Sequence, residues 1–101
     1  MQVEVKGKRA EERDFLRVDV DLSSVDPRLS ANFGVTENVS RHGARILTGT
    51  PWQANNRINL RSLKGNFRSR ARVVYCVPAG QGLWAVGLQF QAFSGNWAFS
   101  A

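Results

Sequence analysis

The feature that most constrains this chain is a two-residue alternation of apolar and polar side chains, repeated in short runs separated by turn residues. In "FLRVDVDL" (15–22), Leu16, Val18, Val20 and Leu22 fall on one face, and Arg17, Asp19 and Asp21 on the other. A period of two belongs to a half-buried strand, not to a helix. "SANFGVTEN" reads as a second, irregular strand with Gly34 at a bulge. "GARILTG" is a short third strand, and "RINLRSL" places Ile58 and Leu60 inward with Arg57, Asn59 and Arg61 outward. "FRSRARVVYCV" sets Arg68, Arg70 and Arg72 against Ala71, Val73 and Tyr75, and "LWAVGLQF" aligns Trp84, Val86, Leu88 and Phe90. Turn signals fall between the runs: Pro27, "TGTPW", "KGN" (64–66) and "PAGQG" (78–82).

Six short strands without a convincing helix predict an all-β domain. Closing the sheet into an antiparallel barrel would remove its exposed edges. At 101 residues the chain has room for one core but not for a core plus a large catalytic cleft. The expected layout is a single domain over 1–101: a flexible basic lead-in (1–15), a barrel (16–91) and a tail (92–101). The tail "SGNWAFSA" is too short and glycine-interrupted for a stable helix. Trp97 and Phe99 are candidates to cover one barrel mouth.

No apolar run approaches the roughly 18 residues that span a bilayer, and the N-terminus lacks the apolar stretch of a secretory signal. No membrane insertion is therefore expected, and a reducing cytoplasm is the simplest home. Asn38-Val39-Ser40 matches a glycosylation sequon, which matters only on a secretory route. Cys76 is the only cysteine and His42 the only histidine, too few for a structural metal site, so no metal or cofactor is expected.

Charge is unevenly placed. Residues 1–37 hold six basic and eight acidic side chains, whereas 38–101 hold eight basic and none acidic, for a net charge of +6. Such asymmetry suits an anionic partner, although solubility alone would also use it. The same distribution argues against an enzyme. A carboxylate pair would have to come entirely from the first third, and one histidine supplies no Ser–His–Asp or Cys–His set, so no catalytic residue is assigned.

Two short patterns suit binding instead. Arg13 and Arg17 lie four apart in "RDFLR", where the lead-in enters the first strand. Arginine's planar fork can grip phosphate or the O6/N7 edge of guanine, whereas exposed pairing with Glu11, Glu12 or Asp14 would contribute little. In "NVSRHG", Asn38 offers an amide, Ser40 a hydroxyl and Gly43 positive φ or close backbone approach. The plainer reading is an Asx- or ST-turn between two strands.

Taken in order, "ERDFLRVDV", "ENVSRHGARI", "SRARVVYCV" and "AVGLQF" resemble the PilZ domain family over roughly residues 9–91. The family carries R-x-x-x-R at the entry to its first strand and [D/N]-x-S-x-x-G between its second and third. Arg13 and Arg17 match the first pattern; Asn38, Ser40 and Gly43 match the second. Arg9 and Arg13 also satisfy the first, but Phe15-Leu16-Arg17-Val18 fits the family's strand start better, which leaves Arg9, with Lys8, as an additional phosphate contact.

The resemblance implies a six-stranded antiparallel barrel that receives cyclic di-GMP, a bacterial second messenger, and passes the signal to a downstream protein partner. It implies that Arg13 and Arg17 contact guanine edges and phosphates from a lead-in that orders on binding. Asn38 and Ser40 would hydrogen-bond a guanine or a phosphate, and Gly43 would let the backbone approach the ligand. Arg41 and Arg45 are further candidate contacts, with Arg45 preferred. Tyr75 and Trp84 are expected in the core rather than on a base. The chain departs from the pattern in having Asn38 where many members have aspartate, and in lacking most of the family's C-terminal helix. Two alternatives remain at this stage: a PilZ-like adaptor that binds protein without nucleotide, and a small basic barrel that binds single-stranded nucleic acid. Against the latter, the aromatics fall mostly on the faces opposite the arginines.

Overall fold

The computed structural model describes residues 17–26 and 32–96. Six strands follow in order: β1 (Asp19–Ser24), β2 (Asn32–Val39), β3 (Gly43–Thr48), β4 (Arg57–Ser62), β5 (Arg68–Gly80) and β6 (Leu83–Ser94). Every pairing is antiparallel, and the order β1-β2-β3-β6-β5-β4 closes on itself as β4 pairs with β1. The described residues contain no helix. The expected all-β, six-stranded antiparallel barrel is the fold observed. Its first strand starts at Asp19, and its last runs to Ser94, three residues past the expected barrel end at 91. The lead-in with Arg9 and Arg13, and the tail residues Trp97 and Phe99, lie outside the described residues.

The alternation dictates the core. Val20, Leu22, Ile46, Ile58, Leu60, Ala71, Val73 and Val86 are essentially solvent-free and meet inside the barrel. Each buried Val, Leu or Ile contributes about 1.5–3 kcal/mol relative to exposure. Trp52, from the β3–β4 connection, joins this core, and Phe67, Phe90 and Phe93 form an aromatic cluster with centroids 5.3–6.1 Å apart. The β5–β6 hairpin turns through Gln81 and Gly82, both at positive φ (57° and 77°). That is the signature of a two-residue I′ turn, whose twist suits the flanking strands.

Two sequence expectations fail for one physical reason: a bulge inserts a residue and reverses which side chains face inward. The irregularity in β2 is not at Gly34. It lies between Thr36 and Asn38, leaving Glu37 as the extra residue. Gly34 is needed for packing, since a Cβ there would stand 2.6 Å from Ile46 Cγ2 and 2.8 Å from the Leu47 carbonyl oxygen. In β5 a second shift, between Val73 and Tyr75, leaves Val74 unpaired. Tyr75 is therefore turned out of the core and is 37 % exposed, contrary to the sequence reading. Trp84 is half-buried.

Candidate functional site

The first strand enters the barrel beside the β2 bulge. The Val18 amide donates to the Thr36 hydroxyl at 2.8 Å, and the Thr36 amide donates back to the Val18 carbonyl at 3.0 Å. Both residues are buried, so this two-way clasp fixes where Arg17 emerges. Past the clasp, the extra residue Glu37 lets Asn38 pair with Arg45 on β3. The outcome is a cleft of about 410 Å³ lined, among the described residues, by Arg17, Glu37, Asn38 and Arg45. Three of the residues singled out from sequence thus meet in one place.

Arg45 is the most constrained of them. Its Nε donates to Glu37 Oε1 at 2.7 Å, and its Nη1 donates to the Tyr75 hydroxyl at 3.1 Å. The guanidinium carbon stands 5.8 Å from the Tyr75 ring centroid, within cation–π range. The hydrogen bond to Glu37, then the one to Tyr75, push the Arg45 pKa up, against a smaller desolvation effect. Tyr75 itself lies flat over Gly87 of β6, where any Cβ would run into its ring. A glycine inside a strand marks such a close approach.

Arg45 also lines a second depression of about 290 Å³, together with Tyr75, Ser40, Gly43, Arg72 and Gln89. There Arg72 donates to the Asn55 amide oxygen at 2.9 Å and to the Gln89 amide oxygen at 2.8 Å. The two depressions share Arg45 and together make a strip across β2, β3, β6 and β5 that carries Arg17, Arg45 and Arg72.

The second motif divides into parts. Ser40 closes the β2–β3 turn: its amide donates to the Gly43 carbonyl at 2.9 Å, and its hydroxyl accepts from the His42 amide at 3.3 Å. The hydroxyl also donates to the Gly43 carbonyl at 3.4 Å. This is an ST-turn, the plainer of the two sequence readings, with the hydroxyl still at the rim of the second depression. Gly43 does not adopt positive φ. It is glycine because a Cβ would collide with the Leu88 carbonyl on β6. The close backbone approach expected of it is thus made to a neighbouring strand. Arg41 and His42 are exposed at the turn tip; Arg41 lines neither depression, whereas His42 borders the second. Arg45, not Arg41, therefore belongs to the strip. Glu37 and Gln89 were not singled out from sequence, and Arg72 was read only as one of the outward arginines of its strand. The glycine of "VGLQF", with Gln89 two residues on, was the available signal.

Among the described residues no group of three His, Cys, Asp or Glu side chains could hold a metal ion. No helix among them is long and apolar enough to cross a membrane.

Comparison with known proteins agrees with the barrel. The family profile of the PilZ domain matches residues 7–96. The structure of the Bacillus subtilis inhibitor of motility (MotI/DgrA) superposes with a TM-score of 0.69 at 13 % identity, covering 88 % of this chain. The chain spans 44 % of that structure's length, so the similarity concerns the fold of one part of it. No curated protein matches the sequence significantly.

Proposed function

The chain belongs to the PilZ domain family, and on that premise we propose that it is a receptor for cyclic di-GMP that signals to a protein partner rather than an enzyme. The observation that carries this reading is the meeting of Arg17, Asn38 and Arg45 around one cleft. The ligand combines two phosphodiester anions with two guanines. Arginine forks suit both the phosphates and the O6/N7 edges, and the Asn38 amide can accept from guanine N1–H and N2–H. Arg13, four residues before Arg17, supplies the second fork from the lead-in, with Arg9 as an additional phosphate contact. Ser40 stands at the rim, and Gly43 keeps the β2–β3 turn seated on β6.

Ordering of the lead-in is part of the proposal. A segment with few apolar residues becomes ordered when ligand contacts offset its lost entropy. A closed β-barrel offers no obvious moving part, so a lead-in folded over the cleft is the change a partner would sense.

Isothermal titration with cyclic di-GMP tests it. Binding is expected at micromolar concentration or tighter. Arg17→Ala is expected to weaken it by about 5- to 150-fold, since one good bidentate guanine contact is worth about 1–3 kcal/mol. Arg13→Ala should act similarly. Unchanged affinity in the double variant would remove the assigned site.

A further inference from the structure

We propose that two copies of this chain pair along an open edge of β5, with a two-fold axis at Val77. The barrel closes around its girth, but the β5–β6 hairpin runs on past it. The β4–β5 register ends where Arg57 meets Arg72. One residue on, the Val73 amide donates to the Asn56 carbonyl and the Val73 carbonyl accepts from the Asn55 amide. Over 74–80, β5 has β6 on one side and, among the described residues, no strand on the other.

Hydrogen-bond parity shows what this edge offers. The Phe90 amide donates to the His42 carbonyl, so Phe90 faces the β3 side, and by alternation so do Leu88, Val86 and Trp84. Gly87 and Ala85 therefore face β5, where Tyr75 and Val77 stand opposite them. Cys76 and Pro78 turn the other way. Cys76 presents an N–H and a C=O to the open edge, and Pro78 a C=O alone. Register shifts between Val73 and Tyr75 and between Pro78 and Gly80 frame this stretch, leaving 75–78 as its regular part. The set is self-complementary. An antiparallel pairing with its axis at Val77 sets Cys76 of one copy opposite Pro78 of its partner. Each Cys76 N–H then meets a Pro78 C=O, twice by symmetry. Val77 meets its own counterpart at a non-hydrogen-bonded position, where Cα atoms stand about 4.5 Å apart and β-branched side chains pack.

Entropy, charge and closure select a second copy as the occupant. So short a regular edge gives few ladder bonds, and a flexible peptide would lose conformational entropy at every residue it ordered there. A preformed edge avoids that cost, and this chain carries one. No charged residue follows Arg72 anywhere in the sequence, although 22 % of the chain is charged. Interface cores are depleted in charge in the same way, so two copies of net charge +6 can meet here without burying one. The side chains left in solvent on this hairpin are apolar: Val74, Val77 and Leu83 are 45 %, 41 % and 36 % exposed. An open, uncharged apolar edge invites pairing. The flanking bulges and Pro78 end that pairing after four residues, so the assembly closes as a dimer and does not grow as a sheet.

Sedimentation velocity of the full chain from about 5 to about 500 µM tests this. A monomer–dimer equilibrium is expected, weak because the interface is small. Screening relieves repulsion between like-charged copies, so the dimer fraction should rise from 20 to 300 mM NaCl, whereas association through the arginines would fall. Val77→Lys, at an exposed edge position, should melt cooperatively yet stay monomeric at the highest concentration. The axis has its own readout. Val77→Cys in a Cys76→Ser background should form an intermolecular disulfide under mild oxidation at least tenfold faster than Gln91→Cys, exposed on β6, in the same background. If Cys76→Ser unfolds the chain, Val77→Lys decides alone. A chain monomeric throughout, a dimer that Val77→Lys leaves intact, a dimer fraction that falls with salt, or Val77→Cys linking no faster than Gln91→Cys would each overturn the proposal.

Discussion

The guanidinium of Arg45 has partners on two different strands, Glu37 on β2 at 2.7 Å and the Tyr75 hydroxyl on β5 at 3.1 Å, and each limits it differently. Tyr75 fixes its height above the sheet, whereas Glu37 neutralises part of the charge a ligand phosphate would use. The pKa is raised, first by the Glu37 hydrogen bond, so the sign of the linkage is clear. Its stabilising effect is present throughout the neutral and mildly alkaline range and fades only once pH rises past the ordinary arginine range, so Arg45 stays charged at any working pH. Glu37→Gln should leave stability within about 1 kcal/mol, because a partly exposed pair contributes about 0–1 kcal/mol. It should tighten cyclic di-GMP binding two- to fivefold; titration showing weaker binding would instead make Glu37 a positioning residue for Arg45. Asn38→Asp should also tighten binding, since a carboxylate accepts from guanine N–H donors in roughly twice as strong a bond as an amide. Equal affinity would place the guanine elsewhere in the cleft. From sequence, Arg45 could be placed outward by alternation and ranked above Arg41. Its partners could not be named, because Glu37 reaches it only through a bulge and Tyr75 only through another.

The strands themselves were legible because each carries its own alternation: Ile58 and Leu60 inward, Arg57, Asn59 and Arg61 outward, as observed. What alternation cannot report is a register shift, which changes the parity of everything beyond it. Hence Val73 was placed correctly and Tyr75, two residues on, was not. The strand glycines Gly34, Gly43 and Gly87 carry the complementary information, since each marks where a strand must come close to its neighbour. Gly43→Ala drives a Cβ into the Leu88 carbonyl, which is backbone and cannot step aside. It should cost about 1–3 kcal/mol, lowering Tm by several degrees in a thermal melt. The same variant should affect ligand binding only in proportion to that loss; a folded Gly43→Ala with no affinity would give Gly43 a direct ligand contact. Gly87→Ala meets a side chain instead, the Tyr75 ring. Displacing that ring removes the hydroxyl from Arg45, so Gly87→Ala should change Tm little while weakening cyclic di-GMP binding.

Across the whole molecule the barrel separates two polar surfaces by strand. β2, β3 and the start of β1 carry the clasp and the cleft, while β4 and β5 carry most of the positive face. Closure makes this separation possible, because every strand is paired on both sides and each outer surface is free to vary over a shared core. It also concentrates charge. With a net +6 and two arginine pairs directly opposed on β4–β5, the folded state repels itself where the unfolded chain would spread those charges apart. Salt should relieve this, since raising ionic strength toward 0.1 M shortens the screening length to about 10 Å. Thermal melts from 10 to 200 mM NaCl should therefore show Tm rising. A relief of about 1 kcal/mol corresponds to about 4–8 °C for a domain of this size. Screening also weakens Arg61–Asp21, but an exposed pair of that kind is worth too little to reverse the trend. Arg68→Gln removes one member of an opposed pair, so it should raise Tm at 10 mM NaCl and converge with the unmodified chain at 200 mM. A flat salt response together with a lower Tm for Arg68→Gln would mean that Arg68 holds the barrel together rather than straining it, and that the open positive face is paid for by packing alone.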